Sequence, residues 1–292
     1  MFELVQVTEN AFYVNSPAKI GIVRLEGDAV CLIDSGNDKD AGRKLRQILD
    51  KNGWKLRCIL NTHSNADHIG GNRYLQGQTG CAVYAPGVEA DFTNHPILEP
   101  SFLYGGFPPK ELRHKFLLAQ ESDALPMTPD TLPAGIERIE LPGHFFDMVG
   151  FRTADNVVFL ADCLSSEESL EKYQISFVYD VQAYLDTLEA VKSMQAAMFV
   201  PAHADATADI APLAQKNIDK VQQIAARILE LCQTPMIFED ILQSLFQAFD
   251  LTMNFEQYVL VGSTVRSYLA WLHDMGKLDA QFEAARLIWK SL

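Results

Sequence analysis

A short run of imidazole and carboxylate side chains stands out in this sequence, because such groups can share a metal ion. His63, Asp67 and His68 lie within six positions of one another, inside residues 62–68, which read THSNADH. Groups this polar are costly to bury unless they find partners, and one divalent cation can serve several of them. A loop leading into a helix could point these neighbours at one centre, whereas a regular strand or helix would splay them. The run therefore predicts a metal site.

The segments around this run alternate between strand and helix patterns. Residues 57–61 are typical of a buried strand that leads into the run, and a helix that begins near Asp67 and carries Tyr74 and Leu75 is expected next. The remaining strand patterns are at 3–7, 12–14, 20–25, 29–34, 82–85, 136–141, 148–153, 157–161 and 197–200, with helix patterns at 38–51 and 181–194. This alternation indicates an α/β fold built in layers.

Two parts of the chain depart from that rhythm. Residues 87–135 are rich in proline and aromatic side chains, and we interpret them as an inserted lid over the mouth of the site, where Tyr104 and His114 could contact substrate. Residues 206–292 have helix patterns at 210–232, 238–249, 255–271 and 279–292. We therefore expect a catalytic domain over 1–205 and a smaller helical domain over 206–292. The aromatic stripe of the second domain is expected to form its core or a contact in a homodimer.

Composition narrows the classes of function. The 292 residues carry a formal net charge of −14, which disfavours binding to nucleic acid. No apolar run is long enough for a membrane span, and the first residues lack the pattern of a secretion signal. The five cysteines are scattered without a CxxC pair, as is typical of reduced thiols. We expect a cytoplasmic protein that acts on a small molecule.

Five short motifs, taken in order, resemble those of the metallo-β-lactamase superfamily. The resemblance covers residues 1 to about 205. The motifs are LIDSG at 32–36, THSNADH at 62–68 followed by GGN at 70–72, LPGH at 141–144, FLAD at 159–162 and VPAH at 200–203. This resemblance implies a four-layer αββα sandwich with a metal site at one edge of its two sheets. Less specifically, residues 235–292 resemble the small winged-helix-like tails of some superfamily members.

The resemblance also implies a role for each matching position. One metal ion would be held by His63, Asn65 and His144, and a second by Asp67, His68 and His203. Asp162 would bridge the two ions, a bridging water would be the nucleophile, and Asp67 would orient that water or accept its proton. Asp34 is expected to hold adjacent loops by hydrogen bonds.

Asn65 departs from the family pattern, which has histidine at this position. A neutral amide is a poorer zinc ligand than imidazole, and its oxygen suits harder cations. The first site is thereby weakened, while Asp67, His68, Asp162 and His203 leave the second with four ligands. We expect at least one ion, with zinc as the default and iron or manganese as alternatives.

The predicted activity is hydrolysis of a small ester, thioester or lactone by metal-activated water. Beside a smaller possibility of dioxygenase or flavoprotein-partner oxidoreductase chemistry, which iron content would indicate, two other functions stay open on the sequence alone. One is a phosphodiesterase or nuclease, because the same fold hosts those enzymes. The other is a non-enzymatic sensor whose metal site has degenerated at Asn65.

Overall fold

Two β-sheets form the centre of the computed structural model, which describes residues 2–292. The first sheet has seven strands in chain order: β1 (Glu3–Gln6), β2 (Ala11–Asn15), β3 (Ile20–Arg24), β4 (Ala29–Ile33), β5 (Lys55–Leu60), β6 (Ala82–Ala85) and β7 (Ala124–Pro126). Strands β1 to β4 are antiparallel to one another, and β4 to β7 are parallel. The second sheet has the order β11-β10-β9-β8, formed by β8 (Ile136–Glu140), β9 (Val149–Thr153), β10 (Val157–Ala161) and β11 (Met198–Pro201).

Apolar side chains join these sheets into a four-layer sandwich. Cys31 and Leu60 of the first sheet pack against Phe151 and Phe159 of the second in one buried cluster. The outer face of the first sheet is covered by α1 (Lys39–Lys51), and that of the second by α7 (Val181–Ser193) and α8 (Ala211–Leu231). The αββα fold that the resemblance implied is confirmed.

A pair of glycines divides the helix expected after the histidine run. The chain forms α2 (Ala66–Ile69) and α3 (Asn72–Thr79) instead of one continuous helix. A Cβ atom on Gly70 would lie 2.3 Å from the backbone carbon of Asn37, and one on Gly71 would lie 2.3 Å from the carbonyl oxygen of Ser35. Only glycine allows the loop after β4 to approach this closely, and that approach brings Asp34 to the histidine run.

The segment 87–135 combines helices with a strand that the sequence analysis missed. It contains α4 (Glu89–Asn94), α5 (Leu98–Tyr104) and two 3-10 turns, and β7 then adds a parallel edge strand beside β6. A further helix, α6 (Glu167–Tyr173), follows β10 and was also missed. Its start is capped by the Ser166 side chain, which accepts a hydrogen bond from the Ser169 backbone N–H.

The last part of the chain corrects one sequence prediction. Helices α9 (Phe238–Ala248) and α10 (Phe255–Asp274) were expected, but the helix predicted over 279–292 is wrong. That stretch is a hairpin of β13 (Leu278–Glu283) and β14 (Arg286–Ser291), and β14 also pairs with β12 (Met236–Ile237). Pairing of β14 with β12 and β13, together with the β-prone side chains Ile288 and Trp289, favours strands here. The division at residue 205 and the winged-helix-like character stay predictions.

Among residues 2–292, no helix has both the length and the apolar character needed to cross a bilayer.

Candidate metal centre

Four strands deliver the predicted ligands to one edge of the sandwich. His63, Asp67 and His68 follow β5, His144 follows β8, Asp162 comes directly after β10, and His203 follows β11. Each residue lies beyond the carboxyl end of its strand, where the chain leaves the sheet and side chains can converge. The structure therefore brings together all the residues named by the motif resemblance.

The histidines are oriented by hydrogen bonds at their Nδ1 atoms. In His144 this atom is 3.1 Å from the Phe177 carbonyl oxygen, and in His203 it is 3.0 Å from the Pro17 carbonyl oxygen. A carbonyl oxygen can only accept, so both Nδ1 atoms must donate. The Nε2 atom of each ring is then left to bind a cation or, without one, a proton.

Asp34 fixes the other two histidines in the same way. Its Oδ2 atom accepts from the Thr62 hydroxyl at 2.7 Å and from His68 Nδ1 at 2.8 Å. Because the Thr62 hydroxyl donates its only hydrogen to Asp34, its oxygen accepts a hydrogen bond from His63 Nδ1 at 3.0 Å. Asp34 Oδ1 also accepts from the Thr62 backbone N–H. Asp34 thus holds these loops together by hydrogen bonds, as expected, and turns two further Nε2 atoms inward.

The inward-facing atoms lie at separations that suit shared cations. His203 Nε2 is 3.2 Å from both Asp67 Oδ2 and Asp162 Oδ2, and His68 Nε2 is 3.0 Å from Asp162 Oδ1. Two groups each have ligand atoms within 4.8 Å of one another: His63, His144 and Asp162, and Asp67, His68 and His203. Ligands that bind one ion at about 2.0–2.2 Å lie up to about 4.4 Å from each other, so the separations of 3.0 and 3.2 Å meet this limit and the 4.8 Å that bounds each group lies slightly above it.

Unpartnered buried atoms give an independent test of that fit. Among residues 2–292, three buried atoms of the site have no hydrogen-bond partner: His63 Nε2, His68 Nε2 and Asp162 Oδ1. The last two lie 3.0 Å apart but are not aligned for a hydrogen bond. Burial alone would lower the pKa of His203, but the charges of Asp162 and Asp67 outweigh it and raise the pKa to about 10. These carboxylates draw a proton to Nε2, which is the place that a cation would take. The residues present fit a divalent metal.

Asn65 lies between the first group and a residue that sequence reasoning missed. Its Oδ1 atom is 3.2 Å from His144 Nε2, and its Nδ2 atom donates to Glu99 Oε1 at 2.8 Å. Glu99 belongs to α5 and is only 5% exposed. No signal in the sequence separates it from the ordinary surface glutamates of the 87–135 segment.

A cavity of about 540 Å³ opens above these ligands. Its walls are largely apolar and come from three places: the 87–135 segment, residues 164–177, and α10, which contributes Leu260 and Val261. Within the described chain, none of the residues lining it is lysine or arginine. Glu99 and Glu256 add carboxylates beside the candidate ligands. The cavity therefore favours an uncharged or apolar group over an anion.

The two predicted substrate contacts are placed differently. Tyr104 is 46% exposed and lines a separate groove between α5 and α10, so the structure does not bring it into this cavity. His114 is also outside the cavity lining, but its Nε2 atom lies 3.0 Å from Glu256 Oε1, which does line it. His114 thus contacts the cavity lining through Glu256 and through its neighbour Phe116.

Comparisons with known proteins agree with this arrangement. The sequence model described as the metallo-β-lactamase superfamily matches residues 16–203, more than half of the chain. A hydroxyacylglutathione hydrolase of Rhodopseudomonas palustris is 31% identical over 132 residues, which are 44% of this chain and 42% of that protein. The chain matches less than half the length of the curated relatives compared with it.

Solved structures extend the likeness in fold to almost the whole chain. A β-lactamase domain protein from Burkholderia ambifaria has a TM-score of 0.78 at 15% identity, covering 99% of this chain and 94% of that one. A metallo-β-lactamase family protein from Thermus thermophilus has a TM-score of 0.71 at 16% identity, with coverage of 99% and 97%. The motif order, the fold and the match over residues 16–203 lead to one conclusion: the chain belongs to the metallo-β-lactamase superfamily.

Proposed function

We propose that this protein is a metal-dependent hydrolase that cleaves a small, uncharged thioester or ester. The observation that carries the proposal is the convergence of four histidine Nε2 atoms on Asp67 and Asp162 at the floor of a largely apolar cavity. His63, His144 and Asp162 would hold one ion, joined by Asn65. Asp67, His68 and His203 would hold the other, with Asp162 shared between them.

A bound divalent ion polarises a substrate carbonyl and lowers the pKa of a bound water to about 7. The chain's own residues prepare the site for that chemistry. Burial alone would raise the pKa of Asp67, but His68 and His203 lower it, so this carboxylate stays ionised. Because the Asp67 carboxylate is such a weak base, it is suited to accept a hydrogen bond from water and orient it. The apolar walls exclude other water from the reacting carbonyl.

The lining of the cavity supports the choice of substrate. The curated relatives are named hydroxyacylglutathione hydrolases, a name that refers to a hydroxyacyl thioester of glutathione and supports a thioester as substrate. The Glu256 carboxylate would repel an anionic group, and the described lining offers no lysine or arginine to bind one. We therefore favour a neutral acyl group and a neutral leaving group. The same lining gives no support to a phosphodiesterase or nuclease.

Removing the shared carboxylate tests the proposal. We expect purified protein to contain metal, zinc by default, and to hydrolyse uncharged thioesters faster than thioesters with an anionic leaving group. Asp162→Asn should lose about 100-fold or more in kcat/KM, because Asp162 lies beside histidines of both groups of ligands. Asp186→Asn, on the exposed face of α7, is the matched control and should retain activity. Metal-free protein with undiminished turnover would overturn the proposal, and so would an unchanged Asp162→Asn variant.

A further inference from the structure

The side-chain amide of Asn65 has different neighbours on its two sides. Nδ2 donates to Glu99 Oε1 at 2.8 Å, and Oδ1 faces His144 Nε2 at 3.2 Å. Because His144 donates its Nδ1 hydrogen to the Phe177 carbonyl, Nε2 of the neutral ring carries a lone pair. Two lone pairs therefore face each other at 3.2 Å, which is repulsive unless a proton or a cation lies between them.

A cation between His144 Nε2 and Asn65 Oδ1 would remove this repulsion. A separation of 3.2 Å is close to the distance between neighbouring ligands of one ion when each bond is about 2.1 Å long. His63 Nε2, which is buried and has no hydrogen-bond partner among the described residues, belongs to the same group as His144 and Asp162. The oxygen of Asn65 therefore stands where the first site needs a further ligand.

Glu99 selects the orientation that makes this possible. If the amide were turned over, Nδ2 could donate to His144, and the first site would lose its oxygen. The Glu99 acceptor on the opposite side holds Nδ2 and keeps Oδ1 toward His144. Glu99 is itself fixed, because it is 5% exposed on α5 and lines the same cavity.

We propose that Glu99 is a positioning residue that makes Asn65 a metal ligand. The first site then has two imidazole nitrogens from His63 and His144 and two oxygens from Asn65 and Asp162. This set is harder than one with a third histidine, so it shifts preference from zinc toward manganese or ferrous iron. The inference rests on the proposed metal centre and adds a residue from the 87–135 segment to it.

Metal titration of the chelated full-length protein tests the inference without relying on activity. Zn²⁺ and Mn²⁺ are titrated separately by calorimetry, and bound ions are counted by elemental analysis. We expect wild type to bind two ions per chain, the second more weakly. Glu99→Ala should weaken the second event by 10- to 100-fold, the range typical of residues that orient metal ligands. Glu121→Ala, an exposed change in the same segment, is the matched control and should leave both events unchanged.

Two further variants separate hydrogen bonding from charge and from folding. Glu99→Gln keeps an oxygen acceptor of the same size, so it should bind within about threefold of wild type. Asn65→Ala should weaken the second event at least as much as Glu99→Ala does, which tests the idea even if Glu99→Ala fails to fold. Asn65→His should tighten Zn²⁺ relative to Mn²⁺ at this event.

The outcomes distinguish this inference from the proposed function. A second event of undiminished affinity in Asn65→Ala would overturn the inference and leave the hydrolase intact. Loss of the second event in Glu99→Gln as severe as in Glu99→Ala would also overturn it, because charge and not orientation would then matter. A protein that binds no metal in any variant, including Asn65→His, would instead reject the metal centre itself.

Discussion

At the scale of single residues, the hydrogen bonds made by Nδ1 of the four histidines leave each Nε2 atom available to bind a cation. Carbonyl oxygens hold His144 and His203, while Asp34 and Thr62 hold His68 and His63. The sequence motifs could predict which histidines converge, because their order along the chain is specific. They could not predict that Glu99 and Glu89 are buried, since this burial depends on contacts with residues far away in the sequence.

Glu89 provides a pH prediction at this scale. It is fully buried and accepts hydrogen bonds from the backbone N–H groups of Ser64 and Asp147. Burial raises its pKa from 4.5 to about 7. Between these pH values the folded protein keeps a proton that the unfolded chain has lost, so stability falls as pH rises. The total loss is about 3 kcal/mol.

Glu89→Gln should remove that slope, because the amide does not titrate. Urea unfolding of both proteins in chelator at pH 4.5, 6 and 7.5 measures the effect. The free energy of unfolding of wild type should fall relative to that of the variant across this range. Parallel pH profiles for the two proteins would contradict the assignment.

At the scale of elements, α10 reaches from the last part of the chain to wall the cavity. Leu260 is half-buried there, beside Val261. Leu260→Trp should fill part of the cavity, so kcat/KM for a long acyl thioester should fall by about tenfold, equal to about 1.4 kcal/mol. An acetyl thioester should change by less than threefold. Leu287→Trp, on the exposed hairpin, is the control, and equal losses for both substrates would contradict this role.

Strands and helices with clear periodicity were predicted well, whereas the final hairpin was not. Ala284 and Ala285 form its two-residue turn with φ values of 47° and 61°, a left-handed conformation that alanine adopts at a cost. Short strands such as β7 and β12 were missed because only their partners in the sheets define them.

Replacing Ala285 with glycine tests the hairpin, because the free energy of unfolding should change in opposite directions for a hairpin and for a helix. Glycine relieves the left-handed strain, so Ala285→Gly should stabilise the protein by about 0.5–1 kcal/mol. In a helix over 279–292 the same change would destabilise it by about 1 kcal/mol. Thermal or urea unfolding of the two proteins measures the difference, and a clear loss of stability would contradict the hairpin.

At the scale of the whole molecule, one buried cluster joins the second sheet to the last helices. It includes Val158 and Phe199 of the sheet, Leu188 of α7, Leu245 of α9 and Leu269 of α10. Core continuity of this kind could not be predicted from the sequence, where the change of pattern near residue 205 suggested separate units. We infer that the last helices and the sandwich unfold together.

Leu245→Ala tests this cooperativity. The side chain is fully buried, so its truncation should cost about 2–5 kcal/mol. Urea unfolding followed by circular dichroism and by tryptophan fluorescence should show one coincident transition, shifted to lower urea. Two separated transitions, with only one of them shifted, would contradict a shared core.

The central claim is that this superfamily member hydrolyses its substrate with metal held by the converging Nε2 atoms and carboxylates. The most direct test adds Zn²⁺ or Mn²⁺ stepwise to chelated protein and follows the turnover of an uncharged thioester. We predict no turnover without metal and a rise in proportion to bound ions, ending at two per chain. Turnover that persists without metal, or full occupancy without hydrolysis of any thioester or ester, would contradict the account.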